Sequence, residues 1–135
     1  MKIQKFAAMA AALLLTASFN TQAEVLNESE IDLALIESAN ELNPLLPMMV
    51  DEDTRWDETV ALNRAFLYIY TLIGYNAEDL DPDLFKQALE PNLKEAVCTS
   101  PDMAAFVENN INAIYAYRGK DGKQIATVTV HVNEC

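Results

Sequence analysis

Few side chains in this sequence can do chemistry, and most of those are carboxylates. Asp51, Asp53, Asp57 and Glu58, with Arg55 and Trp56 among them, form the densest acidic stretch. Such a run can hold a hard cation or meet a cationic protein; an arginine and a tryptophan inside it suit the centre of an interface, or the tryptophan closes an edge of the sheet. It carries no glycine and no recognisable ligand frame, so it is read as a candidate interface and no metal is assigned. Asp79, Asp81 and Asp83 stand at alternate positions with Glu90 beyond them, matching the outer ligands of a calcium loop. Leu84 occupies the place where glycine must make that turn, and Pro82 begins a helix in its middle. Asp81 therefore reads as a helix cap. His131 is the single histidine, which excludes a three-histidine metal site, and no serine or free cysteine stands out as its nucleophilic partner. Two carboxylates can cleave a glycoside, but nothing in the pattern selects two. The expectation is a protein that is not an enzyme and needs no cofactor.

Two further sets of residues carry physical meaning. Phe66, Tyr68 and Tyr70 recur with period two in the run 65–72, with Leu67 and Ile69 between them. They form a candidate aromatic face, for packing against neighbouring strands or, alternatively, for stacking a ligand. Cys98 and Cys135 are the only cysteines. In an exported chain an even count argues for a disulfide. Closing a loop of about 38 residues stabilises a fold by about 4 kcal/mol in the chain-entropy model. No Cys-x-x-Cys spacing points to a redox pair.

Export is the reading of the first 23 residues. Lys2 and Lys5 give a positive start, residues 6–17 are apolar apart from Thr16, and Thr21-Gln22-Ala23 places small residues at the −3 and −1 positions of a cut after Ala23. That order is the signature of a cleaved signal peptide. The apolar run of about a dozen residues falls short of the ~20 that span a bilayer. No cysteine lies near the cut for lipidation. Removing residues 1–23 from 135 leaves 112, enough for one domain, and shifts the formal charge from −12 to about −14. A polyanion repels nucleic acid and anionic lipid, so neither is an expected partner.

The elements that must position these residues follow from periodicity. Asn27 caps a helix whose apolar positions are Ile31, Leu35, Ser38/Ala39 and Leu42, ended by Asn43-Pro44. Residues 45–50 read as an extended entry to a strand and 65–72 as an inner strand. Asp81-Pro82 opens a helix that Pro91 breaks or kinks, residues 92–98 make a second short piece, and Ser100-Pro101 starts a third helix to about 108. Residues 111–118 and 124–132 flank Gly119-Lys120-Asp121-Gly122-Lys123, a strong hairpin signal. The expected fold is α+β: an antiparallel sheet of about four strands in two hairpins, helices on one face, in the order α-β-β-α-α-α-β-β.

With these residues in view, the chain resembles a set of small exported bacterial proteins of uncharacterised function. The matching elements are Leu46-Pro47-Met48-Met49-Val50-Asp51 with Thr54-Arg55 and Asp57, then Tyr68, Tyr70-Thr71-Leu72, Val97-Cys98-Thr99, Tyr115, Tyr117-Arg118, Lys120-Asp121-Gly122-Lys123 and Cys135. The resemblance implies a common fold and a Cys98–Cys135 bridge. It supplies no activity, substrate or catalytic residue. Between Asp57 and Phe66 that set carries small and glycine residues where this chain does not. The functional expectation is a soluble periplasmic or secreted binding or accessory protein acting through contacts with another exported protein, a cationic one being an option. The alternatives are an inhibitor or immunity protein against a cationic cell-wall enzyme such as a lysozyme, and a small-ligand carrier or small enzyme using the Phe66/Tyr68/Tyr70 face.

Overall fold

The computed structural model describes residues 26–135, so the expected export segment lies outside the described residues. Helix α1, Glu28–Leu42, starts where the sequence places it. Asn27 accepts from the Glu30 N–H, and Glu30 reaches back to the Asn27 N–H, a reciprocal capping box. Its periodic residues Ile31, Leu35, Ser38, Ala39 and Leu42 are buried. Strands β1 (Met48–Met49), β2 (Thr54–Leu62) and β3 (Ala65–Leu72) follow. Then come α2 (Pro82–Thr99), the short α3 (Ala104–Glu108), β4 (Asn112–Gly119) and β5 (Gln124–Val130).

The α+β class holds, but the sheet differs from expectation in three ways. Among the described residues it has five strands, in spatial order β1-β2-β3-β4-β5, where about four were expected. The additional strand is β2, which the sequence presents as an acidic stretch. Asp57 is its bulged residue, the register shifting between Trp56 and Glu58. A bulge interrupts the period of two by which a strand is recognised. The hairpin partner of β3 is therefore β2, and β1 is only a two-residue edge pairing with Trp56 and Arg55. Second, β3 and β4 run parallel, with Tyr68 opposite Tyr115 and Tyr70 opposite Tyr117. The chain leaves β3, crosses through α2 and α3, and returns to the same end of the sheet, the crossover that a parallel neighbour requires. Third, Pro91 does not break the second helix. It lies inside the 18-residue α2. Pro91 and Gln87 are both exposed, so the carbonyl that loses its partner lies on the solvent side of the helix. The buried face of Leu89, Leu93, Ala96 and Val97 runs on beyond it. The observed order is α-β-β-β-α-α-β-β.

The turn between β2 and β3 is Asn63-Arg64, with Arg64 at φ 51°, in the left-handed region that glycine usually fills. Arg64 is held there by its guanidinium, which donates to the Asn109 carbonyl at 2.7 Å and faces Glu28 at 3.6 Å. The Asp121-Gly122 turn is as the sequence indicates, with Gly122 at φ 82°. Gly119 is required for another reason: a Cβ there would stand 2.4 Å from the Ala77 backbone nitrogen.

Both long helices pack on one face of the sheet. Their buried residues join Trp56, Phe66, Tyr68, Tyr70, Ala113, Tyr115, Tyr117, Val128 and Val130 in one core. The opposite face carries the half-buried Val60, Leu67, Ile69, Ile114 and Ala116, with Thr127 and Thr129. The disulfide Cys98–Cys135, with Cα atoms 5.4 Å apart, ties the end of α2 to the turn that follows β5.

Candidate functional site

The site is built on the two middle strands. Helix α1 packs over β2 and α2 packs over β5, and the inner faces of β3 and β4 are buried beneath them. Period-two alternation aims Phe66, Tyr68 and Tyr70 of β3 the same way, and Tyr115 and Tyr117 of β4 alongside them. The rings form a ladder. Tyr68 and Tyr115 stack at 4.9 Å with 10° between planes. Tyr70 meets Tyr117 at 5.2 Å, and Phe66 stands edge-on to Tyr68 at 5.3 Å. Trp56 from β2 closes one side against Tyr68 at 5.9 Å, and Phe85 from α2 the other, edge-on to Tyr117 at 5.2 Å.

These rings are buried, and burial dominates their chemistry. It raises the pKa of Tyr68, Tyr70, Tyr115 and Tyr117 above the ordinary phenol range. Neighbouring phenols add to the effect on Tyr68 and Tyr70. For Tyr117 the further contributions are Tyr115 and then Asp51. Neutral phenols do not act as nucleophiles or general bases, but they can donate hydrogen bonds. Among the described residues, the hydroxyls of Tyr68, Tyr115 and Tyr117 are buried with no hydrogen-bond partner. A buried donor left unmet costs about 1–3 kcal/mol, so a phenol where a phenylalanine would pack asks for an explanation.

The structure divides the acidic candidate interface. Trp56 lies on the inner face and is buried in the core. Arg55 and Asp57 lie on the open face, where the Arg55 Nε is 2.5 Å from Asp57 Oδ1 and the Thr71 hydroxyl donates to Asp57 Oδ2. Glu58 is exposed. Asp51 and Asp53 sit in the turn between β1 and β2, where Asp51 Oδ1 accepts from the Asp53 N–H at 2.8 Å and the Asp53 carbonyl accepts from the Ile73 N–H. The calcium-like spacing resolves into capping: Asp81 Oδ1 accepts from the N–H groups of Asp83 and Leu84. Phe66, Tyr68 and Tyr70 do share one face. The sequence reading did not join Tyr115 and Tyr117 to them, although 113, 115 and 117 carry the same alternation. Two clefts of the described residues lie elsewhere, one between α2 and β5 and one between Ile36 of α1 and the β2–β3 turn.

No family model matches the chain. Over 60 residues it is 30% identical to Protein K of Escherichia coli, a match covering 44% of this chain and 32% of that protein. The chain thus spans about a third of the length of the curated relative it matches. Solved structures match along most of their length. A candidate secreted protein from Pseudomonas aeruginosa superposes with a TM-score of 0.63 at 17% identity, over 84% of this chain and 99% of that one. The type II secretion system pilotin AspS from Vibrio cholerae gives 0.58 at 17% identity, over 80% and 94% of the two chains. The type 2 secretion system pilotin EpsS from Vibrio vulnificus gives 0.63 at 13%, again over 80% and 94%. The likeness is one of fold. Among the described residues, no helix is long and apolar enough to cross a membrane.

Proposed function

We propose that this chain is an exported accessory protein of a secretion apparatus, and that it works by holding an apolar segment of another exported protein between α1 and α2, on the tyrosine ladder. The observation that carries this reading is the set of buried hydroxyls of Tyr68, Tyr115 and Tyr117, which have no acceptor among the described residues. A segment entering between the helices brings backbone carbonyls to those donors and apolar side chains to the rings, which serve as amphipathic anchors. The acidic turn adds a polar rim. Asp51 lies close enough to Tyr117 to influence its ionisation, so a basic side chain on the segment meets a carboxylate at that end of the ladder. The fold shared with two secretion pilotins supports the reading.

Photo-crosslinking tests it. A photoreactive residue at Phe85, beside Tyr117, is expected to capture an exported protein in a salt-dependent way. The same residue at Glu41, exposed on α1, is the control. Tyr115→Phe keeps the ring stack and is expected to weaken capture while leaving the chain folded. Identical products from both positions, or full capture by Tyr115→Phe, would overturn the proposal.

A further inference from the structure

We propose that the free edge of β5 is a strand-addition site for an extended, basic segment of a partner protein, a surface separate from the tyrosine ladder. Hydrogen-bond phase fixes which groups are free. The Asn112 N–H donates to the Arg64 carbonyl at the start of β3, so residues 112, 114, 116 and 118 of β4 address β3. Residues 113, 115 and 117 then address β5, where they stand opposite Val130, Val128 and Ala126. The Val132 N–H, which donates to Asn112 Oδ1, has the same phase. Thr127 and Thr129 therefore point their N–H and C=O groups away from the sheet, together with the His131 N–H. The His131 carbonyl is taken by the Glu134 N–H at 2.9 Å.

β5 is the last strand of the sheet. A cleft of about 440 Å³ runs between residues 128–131 and Glu90, Pro91 and Lys94 of α2. Consecutive strand residues point to opposite faces, so a cleft lined by all of them follows the edge itself. The two edges of the sheet are treated differently. β1 is two residues long, follows Pro47 and lies beside the β2 bulge, which are common ways to blunt an edge. β5 is seven residues, Gln-Ile-Ala-Thr-Val-Thr-Val, with no charge and no proline, and its one irregularity lies at the far end, opposite Arg118. Such an edge is a template for an added strand.

Charge selects the occupant. Glu90 and Glu134 line the cleft against the single cation Lys94. A second copy would bring the same carboxylates and a formal charge of −12 to meet −12. A partner segment alternating β-branched and basic residues pairs its backbone with Thr127 and Thr129 and its charges with Glu90 and Glu134.

Amide exchange followed by NMR tests this, with three capped synthetic peptides as probes: alternating Val and Thr flanked by Lys, the same flanked by Glu, and the Lys form with a central Pro. The Lys peptide at millimolar concentration is expected to slow exchange at Thr127, Thr129 and His131 about tenfold, corresponding to about 1.4 kcal/mol. The effect should weaken with salt, and the Glu and Pro peptides should have little effect. Thr129→Pro removes an N–H that faces away from β4, so it is expected to abolish protection with the melting curve retained. Glu90→Lys, which leaves the strand untouched, is expected to shift preference towards the Glu peptide. No protection, equal protection by all three peptides, or protection that grows with the concentration of the chain alone would overturn the proposal. The last result would mean that a second copy occupies the edge. Since the readout is at β5, its failure leaves capture at Phe85 unaffected.

Discussion

The four stacked tyrosines make the chain sensitive to alkali in a defined direction. Burial raises each phenol in the folded state above the unfolded value of about 10. Folding therefore favours the protonated form. The contribution is fully present below about pH 10 and is lost as pH rises beyond it. The expected outcome is cooperative alkaline unfolding, with the tyrosinate absorbance of these four rings appearing together with loss of the near-ultraviolet dichroism. Tyrosinate absorbance from these rings while the dichroism is intact would contradict the burial. At this scale the sequence was partly legible. The spacing of Phe66, Tyr68 and Tyr70 declares a shared face, whereas their stacking on Tyr115 and Tyr117 depends on a pairing that no local spacing reveals. Trp56 looks like part of a charged surface because its neighbours are charged; the pleat sends it inward and Arg55 outward.

Among the elements, α2 shows how tertiary packing overrides a local rule. A proline in a helix interior costs ~3 kcal/mol relative to alanine in a monomeric host. Here Leu89, Leu93, Ala96 and Val97 bury one continuous face across Pro91 and keep the helix whole. Pro91→Ala is expected to restore the bond to the exposed Gln87 carbonyl and to raise stability by about 1 kcal/mol or more, after allowing for the freer unfolded chain. Denaturant unfolding of the variant measures it; a loss of stability would mean that the proline ring itself packs usefully. The capped helix starts and the Asp-Gly hairpin were legible because each rests on side chains adjacent in sequence. β2 was not, because the bulge at Asp57 breaks the alternation and Arg64 stands where a turn ordinarily shows glycine.

For the molecule as a whole, the Cys98–Cys135 bridge encloses α3, β4 and β5 in one covalent loop and anchors β5 to α2. Replacing both cysteines by alanine is expected to cost about 2–5 kcal/mol, seen as a lower denaturant midpoint. An unchanged midpoint would mean that packing alone holds the end of β5. The α+β class followed from the order of elements and the one-sided sheet from the alternation of the last strand. The strand order did not, since whether two hairpin-like units join edge to edge, and in which direction, is set by the path of the connecting helices.

That joining has a consequence for the order of folding. β2 and β3 are linked by two residues and β4 and β5 by four, so both antiparallel units can close locally. The parallel seam between β3 and β4 joins residues 47 apart in the chain, as in Ala65 with Asn112, and carries a larger loop-closure cost. The tyrosine ladder straddles that seam, with Trp56 against its Tyr68 end. In a refolding experiment, then, the near-ultraviolet dichroism of Tyr68 stacked on Tyr115 should mark the closing of the seam, after the Trp56 signal, whose contact with Tyr68 lies within the β2–β3 unit.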